Sequence, residues 1–173
     1  WNRDKFLELA ATTPALHYDL TRVTGIDSLP QVANPNILFY LDAASDVTGR
    51  NIIKDGVCEE LYLTLGYDYY AQQPFTARRA VFDPQSSSTK WQYIALPFDC
   101  EVPEGSRARR IKKLSNILIS ESDEVNTTLK ACTPYLYRTT RPGEDRITAT
   151  DVTVDDGHGT STSDPLSYSF SNG

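Results

Sequence analysis

The chain has 173 residues, enough for one large domain or one and a half small ones, and 39% of them are hydrophobic. Its formal net charge is −6, with 17 basic side chains against 23 acidic ones. That balance argues against general nucleic-acid binding, which needs net or clustered positive charge. No apolar run approaches the roughly 20 residues that a membrane-spanning helix requires.

Ten tyrosines, two tryptophans and six phenylalanines supply much of the apolar content. A tyrosine keeps one end wet, so this composition suits strands with one solvated face. The chain opens on the polar Trp1-Asn2-Arg3-Asp4 and contains no methionine. It therefore reads as a mature or trimmed product without a signal peptide of its own. The three cysteines, Cys58, Cys100 and Cys132, lack C-x-x-C spacing, which speaks against structural zinc. They read as unpaired buried thiols, with a Cys100–Cys132 bridge as the alternative.

In chain order, Asp4 to Ala11 reads as a short helix, capped by Asn2 or Asp4 and ended by Pro14. From Leu16 to Val32 apolar residues are separated by turn-formers without a helical stripe. Asn34-Pro35-Asn36 marks a turn, and the apolar run Ile37 to Leu41 reads as a buried strand. Asp55-Gly56 is a hairpin signal. Beyond it Leu61, Leu63 and Leu65 alternate with Tyr62 and Thr64.

Arg78 to Phe82 is a further strand, and Pro84 to Lys90, with its serine run, reads as a mobile loop. Trp91 to Phe98 alternates again, with Ile94, Leu96 and Phe98 on one face. Strands follow near Ala108–Leu114, Ser115–Ser120, Asn126–Ala131, Pro134–Thr139, Ile147–Val154 and Leu166–Phe170. The last ends three residues before Gly173, which suggests that more chain follows. Many short strands and little helix indicate a mainly β fold, an antiparallel β-sandwich with a short N-terminal helix and a repeat-like cap. The expected division is a cap over residues 1–41 and a sandwich over residues 42–173. The expected core is Leu61, Leu63, Leu65, Ile94, Leu96, Phe98, Ile117 and Ile119.

Several blocks resemble one family. Leu20-Thr21-Arg22-Val23-Thr24-Gly25-Ile26 resembles a final leucine-rich-repeat turn, and Asn34 to Tyr40 resembles an "NPN-apolar-aromatic" signature. Leu63 to Tyr70 resembles an "LTDGYDFY" block, Phe75-Thr76-Ala77 an "FTA" step, and Trp91 to Asp99 a "W-x-T-x-x-LPFD" core with Tyr93 in place of Thr. Lys130 to Leu136 resembles an "AGxPYL" turn, with Cys132 where Gly is usual. In this order the blocks resemble large secreted or surface proteins of gut Bacteroidetes, in which a β-sandwich follows a leucine-rich-repeat-like segment. The resemblance implies export, an outer-membrane-associated or secreted location, covalent neighbour domains and a role in adhesion. It brings no catalytic residues.

Candidate sites follow from residue chemistry. Tyr67, Tyr69, Tyr70, Trp91 and Tyr93 form an aromatic group that could stack on sugar faces, or serve as ordinary cross-strand pairs. Arg107 to Lys113 is the one basic cluster. It reads as edge protection of a strand, with an anionic glycan or phosphate backbone as the second reading. His158 lies in an "HGT" string that resembles a subtilisin-type histidine motif, but loop sequence follows it, so a glycine-permitted turn is the better reading. Asp151, Asp155, Asp156 and Asp164 could offer oxygens to calcium, yet lack the twelve-residue loop spacing and read as a solvated acidic loop.

Glu59, Glu60, Glu101 and Glu104 are the carboxylates available to a glycosidase, with nothing marking a pair. His17 reads as structural. No phosphate-cradling or dinucleotide glycine motif is present, so no cofactor is expected. The functional expectation is a non-enzymatic secreted or surface module that binds glycans or partner proteins. The alternatives are a structural spacer and, last, a polysaccharide or peptide hydrolase.

Overall fold

The computed structural model describes residues 1–12, 15–115 and 118–156, and the side chains among them other than those of residues 12 and 113–121. Its elements are α1 (Arg3–Thr12), β1 (His17–Asp19), β2 (Leu38–Leu41), β3 (Ile52–Lys54), β4 (Val57–Thr64), β5 (Phe75–Asp83) and β6 (Gln92–Ile94). They continue with β7 (Cys100–Glu101), β8 (Ser106–Ser115), β9 (Leu118–Val125), β10 (Thr128–Leu129), β11 (Tyr135–Thr139) and β12 (Ile147–Val154). The protein is mainly β.

Local chemistry accounts for the boundaries. The Asn2 side chain accepts the Lys5 N–H at 3.0 Å, capping α1 as expected. Asp55 and Gly56 both take positive φ, 48° and 72°. They form the two-residue loop between the paired Lys54 and Val57, and such a loop favours Asp-Gly because its twist matches that of the strands.

A six-stranded sheet runs in the order β1-β2-β3-β4-β5-β12. The pairs β1–β2, β2–β3 and β4–β5 are parallel, whereas β3–β4 and β5–β12 are antiparallel. The larger sheet is thus mixed, not antiparallel. Strand alternation reports which face is buried but carries no information on direction. In the first three strands the chain advances in parallel turns, stacked as in a β-solenoid: His17 lies beside Leu38, and Phe39 beside Ile52. A second sheet, β6-β11-β8-β9, is antiparallel throughout, and β7 pairs with β10.

Both large sheets feed one core. Leu38, Tyr40 and Ile53 join Leu61, Leu63, Ala80 and Phe82 from the larger sheet, and Ile94, Ala108, Tyr135 and Tyr137 come from the smaller. A second cluster lies on the other face of β2 and β3, where Phe39, Leu41 and Ile52 pack with Phe6, Leu20 and Val47. β2 is therefore buried on both sides, which explains its uninterrupted apolar sequence. Of the expected core, Leu61, Leu63, Ile94, Leu96 and Phe98 are buried and Leu65 packs partly buried against them. Ile117 and the side chain of Ile119 lie outside the described residues.

Alternation slips once in three neighbouring strands. The inward residues are Cys58 then Leu61 and Leu63 on β4, Phe75 and Ala77 then Ala80 and Phe82 on β5, and Ile147 and Ala149 then Val152 and Val154 on β12. At the slip sit Glu59-Glu60, Arg78-Arg79 and Thr150-Asp151. Exposed ion pairs join Arg78 to Asp151 at 3.0 Å and Arg79 to Glu60 at 2.9 Å. Asp151, at the slip on β12, takes φ 50°, while the pairing with β5 keeps its register on either side, Thr150 beside Arg79 and Val152 beside Ala77.

Two further expectations change. The start of the segment from Pro84 to Lys90 is anchored, because Gln92 Nε2 donates to Pro84 O and Ser86 Oγ at 2.9 Å each, and the Gly143 N–H donates to Ser86 O at 2.7 Å, whereas Ser87 to Lys90 are exposed. The basic strand β8 is interior, paired by β11 on one side and β9 on the other. Its cations are therefore not an edge guard. They lie opposite the acidic strand β9: Arg109 beside Glu124, Arg110 beside Asp123 and Lys113 beside Glu121, with Lys112 Nζ 2.5 Å from Asp123.

Candidate functional site: an aromatic and arginine face

The smaller sheet has one face in the core and one outward. Along β11, Tyr135, Tyr137 and Thr139 are buried, while Leu136 and Arg138 point the other way. Register then builds the outward face in rows. Tyr93, Leu136, Arg109 and Glu124 are direct neighbours across four strands. One step along, Arg138 lies opposite Arg107, and on its other side the Arg138 guanidinium carbon sits 4.9 Å from the centroid of the Trp91 ring.

Trp91 and Tyr93 remain exposed by 40% and 56%. Trp91 immediately precedes β6 and Tyr93 lies on it, two residues apart along the chain and so about 7 Å from each other in extended backbone. Arg109 is pinned from below, its Nε donating to Ser122 Oγ at 3.0 Å and its Nη2 to Ser122 O at 2.9 Å.

The other expected aromatics are placed elsewhere. Tyr69 is only 6% exposed, and its hydroxyl donates to Asp155 O at 3.1 Å. Burial pushes its pKa well above that of an ordinary tyrosine. Tyr70 stacks on His17, ring centroids 5.3 Å apart. Tyr67, 46% exposed, belongs to the turn after β4. That turn is held by the Asn34-Pro35-Asn36 segment: Asn34 Nδ2 donates to Asp68 O, and Asn36 Nδ2 to Thr64 O and Tyr67 O, each at 2.9 Å. Trp91 and Tyr93 thus form one surface, and Tyr69 and Tyr70 are packed in another region.

His17 is half-buried. Its Nε2 is 2.9 Å from Gln72 Nε2, and its ring meets Tyr40 edge-on. Of the carboxylates, Glu60 is engaged by Arg79 and by Arg50 at 3.4 Å, and Glu101 and Glu104 are exposed on the surface. Among the described residues no three His, Cys, Asp or Glu side chains gather as metal ligands. The "HGT" string with His158, and Asp164 of the acidic loop, lie outside the described residues.

All three thiols are unpaired. Burial pushes each up to about 12, assisted at Cys132 by the negative charge of Asp155. Cys132, standing where the resembling turn has Gly, takes φ 52°, the left-handed region that glycine favours.

Two surface grooves flank the N-terminal turns. One, of about 530 Å³, has Leu29, Val32, Ile37, Val47, Ile52, Asp27 and Asp46 among its lining residues. Another, of about 400 Å³, lies between the 20–26 and 41–46 segments. No helix among the described residues is long and apolar enough to cross a membrane. No family model, curated protein or solved structure matches the chain.

Sequence reasoning named Trp91 and Tyr93 and placed Arg107 and Arg109 in a basic run, but it missed Arg138 and Leu136. Their alternation against Tyr135 and Tyr137 was readable. Their placement beside Trp91 and Tyr93 depends on register between strands some forty residues apart, which no local pattern encodes.

Proposed function

We propose that this chain is a non-enzymatic binding module of a secreted or surface-exposed protein, with two sheets closed as a sandwich and the outward face of the smaller sheet as its binding surface. The carrying observation is the exposed pair Trp91 and Tyr93, one just before β6 and one on it, with Arg138 against the indole. Flat rings with polar rims suit the apolar C–H faces of sugars, and the same amphipathic groups suit protein partners. The stacked parallel strands before β4 support kinship with the sandwich regions that follow leucine-rich-repeat-like segments in exported proteins of gut Bacteroidetes. Adhesion to glycans or partner proteins is the corresponding role.

A glycan array and a pull-down with the 173-residue protein test the reading. Binding should be lost in the Trp91→Ala/Tyr93→Ala double variant while its circular dichroism stays unchanged. Silence in both assays, or binding indifferent to the double substitution, would overturn it.

A further inference from the structure

Arg107 and Arg138 are directly opposed across the β8–β11 pair. Like charges in that position repel. Everywhere else on β8 the cations have acidic neighbours on β9. Among the described residues neither Arg107 nor Arg138 has a carboxylate partner. Arg107 is exposed. Arg138 lays one face on Trp91 at 4.9 Å. Stacking of this kind occupies the guanidinium's face and leaves its in-plane N–H fork unspent, preset for bidentate contact with an oxyanion. The net charge of −6 makes two uncompensated cations on one row an exception that solubility does not require.

Resting on the binding-module reading, we infer that this row takes an anionic glycan. Sugar rings lie on Tyr93 and the open edge of Trp91, and a pendant carboxylate or sulfate bridges Arg107 and Arg138. Two aromatic rings about 7 Å apart, beside a two-guanidinium clamp, match a chain that alternates apolar sugar faces with acidic groups. Arg109, held by Ser122 and faced by Glu124, positions the row and does not bridge. A nucleic acid, whose dense phosphates need many cations at once, fits an acidic chain poorly.

Isothermal titration of the full chain with polygalacturonate oligosaccharides, a sulfated glycan of the heparin type, a neutral β-glucan and a polyglutamate peptide tests this. Binding of either acidic glycan should exceed that of the neutral one by at least about tenfold, and the stronger acidic arm identifies the anion. Arg107→Gln and Arg138→Gln should each weaken it about tenfold, the scale of a charge-assisted contact. Arg107→Gln should meanwhile leave the melting temperature unchanged or raised, because it relieves repulsion; a structural arginine would lower it. Equal binding of neutral and acidic glycans, no effect of Arg107→Gln, or preference for polyglutamate would overturn the inference while leaving the binding-module reading in place. No glycan or peptide bound, together with an empty pull-down, would overturn both.

Discussion

Two buried asparagines illustrate how single residues hold this fold. β3 pairs with β4 only at Ile53–Cys58 and Lys54–Val57, so the rest of that edge of β4 needs other partners. Asn51 supplies them at Tyr62, accepting its N–H at 2.7 Å and donating to its O at 3.0 Å. Asn36 does the same at Thr64, accepting at 2.7 Å and donating at 2.9 Å. Each side-chain amide imitates a peptide group and continues the ladder. Asn36→Ala strands buried main-chain groups and should lower stability by about 2–4 kcal/mol in urea unfolding. Asn36→Asp, which keeps the acceptor but loses the donor, should not rescue it. A loss under about 0.5 kcal/mol, the scale of an ordinary surface substitution, would refute the amide-ladder role. The sequence marked Asn34-Pro35-Asn36 as a turn, but the long-range partners of Asn36 were not readable, because they lie 28 or more residues away.

The thiols carry a pH signature at the same scale. In the folded protein Cys58, Cys100 and Cys132 stand at about 12, against roughly 8.5 in an unfolded chain. The folded state therefore holds more protons between those values. Stability is full below about pH 8.5 and declines as pH rises toward 12. Tyr69 and Tyr137, both raised by burial, act in the same direction at higher pH. Melting temperature should fall progressively above pH 8.5, less steeply in Cys100→Ala, and disulfide-exchange reagents at pH 8 should label the buried Cys58 and Cys100 only after denaturant is added. Rapid native labelling of both would contradict the burial that causes the shift.

At the scale of elements, what was legible was periodicity, and what was not was register and direction. Ile147–Val154 is delimited as the pattern indicated, and Asp55-Gly56 turns as its residue types require. The alternation of Trp91 to Phe98 extended the strand too far: β6 ends at Ile94, and Leu96 and Phe98 enter the core from irregular chain. Taken by itself, the basic Arg107–Lys113 run fits an edge guard. Its meaning lies in the acidic Glu121, Asp123 and Glu124 that follow within one hairpin, a complement visible in sequence once the two runs are read as partners. Glu124→Lys sets a cation against Arg109 and should destabilise by less than about 1 kcal/mol, since cross-strand pairs and exposed charges are worth little. The penalty should shrink in 1 M salt, where screening acts over about 3 Å. A penalty unchanged by salt would mean that Glu124 acts through packing.

For the whole molecule, the question is whether two hydrophobic clusters behave as one cooperative unit. β2 belongs to both: Leu38 and Tyr40 enter the core between the sheets, Phe39 and Leu41 the cluster with α1. Opening either cluster exposes one side of β2 and weakens the other through the same backbone. The two tryptophans report separately. Trp1 packs against the α1 cluster, its ring centroid 5.3 Å from that of Phe6, whereas Trp91 lies on the outward face of the smaller sheet with Arg138 above it. In single-tryptophan variants, Trp1→Phe and Trp91→Phe, fluorescence-monitored denaturant curves should share one midpoint after correction for each substitution's effect on stability measured by circular dichroism. Leu38→Ala should then move both signals together, by about 2–5 kcal/mol for a fully buried leucine. If the Trp1 signal moved at lower denaturant and ignored Leu38→Ala, the N-terminal turns would be an independently melting unit and the shared-strand coupling would be wrong.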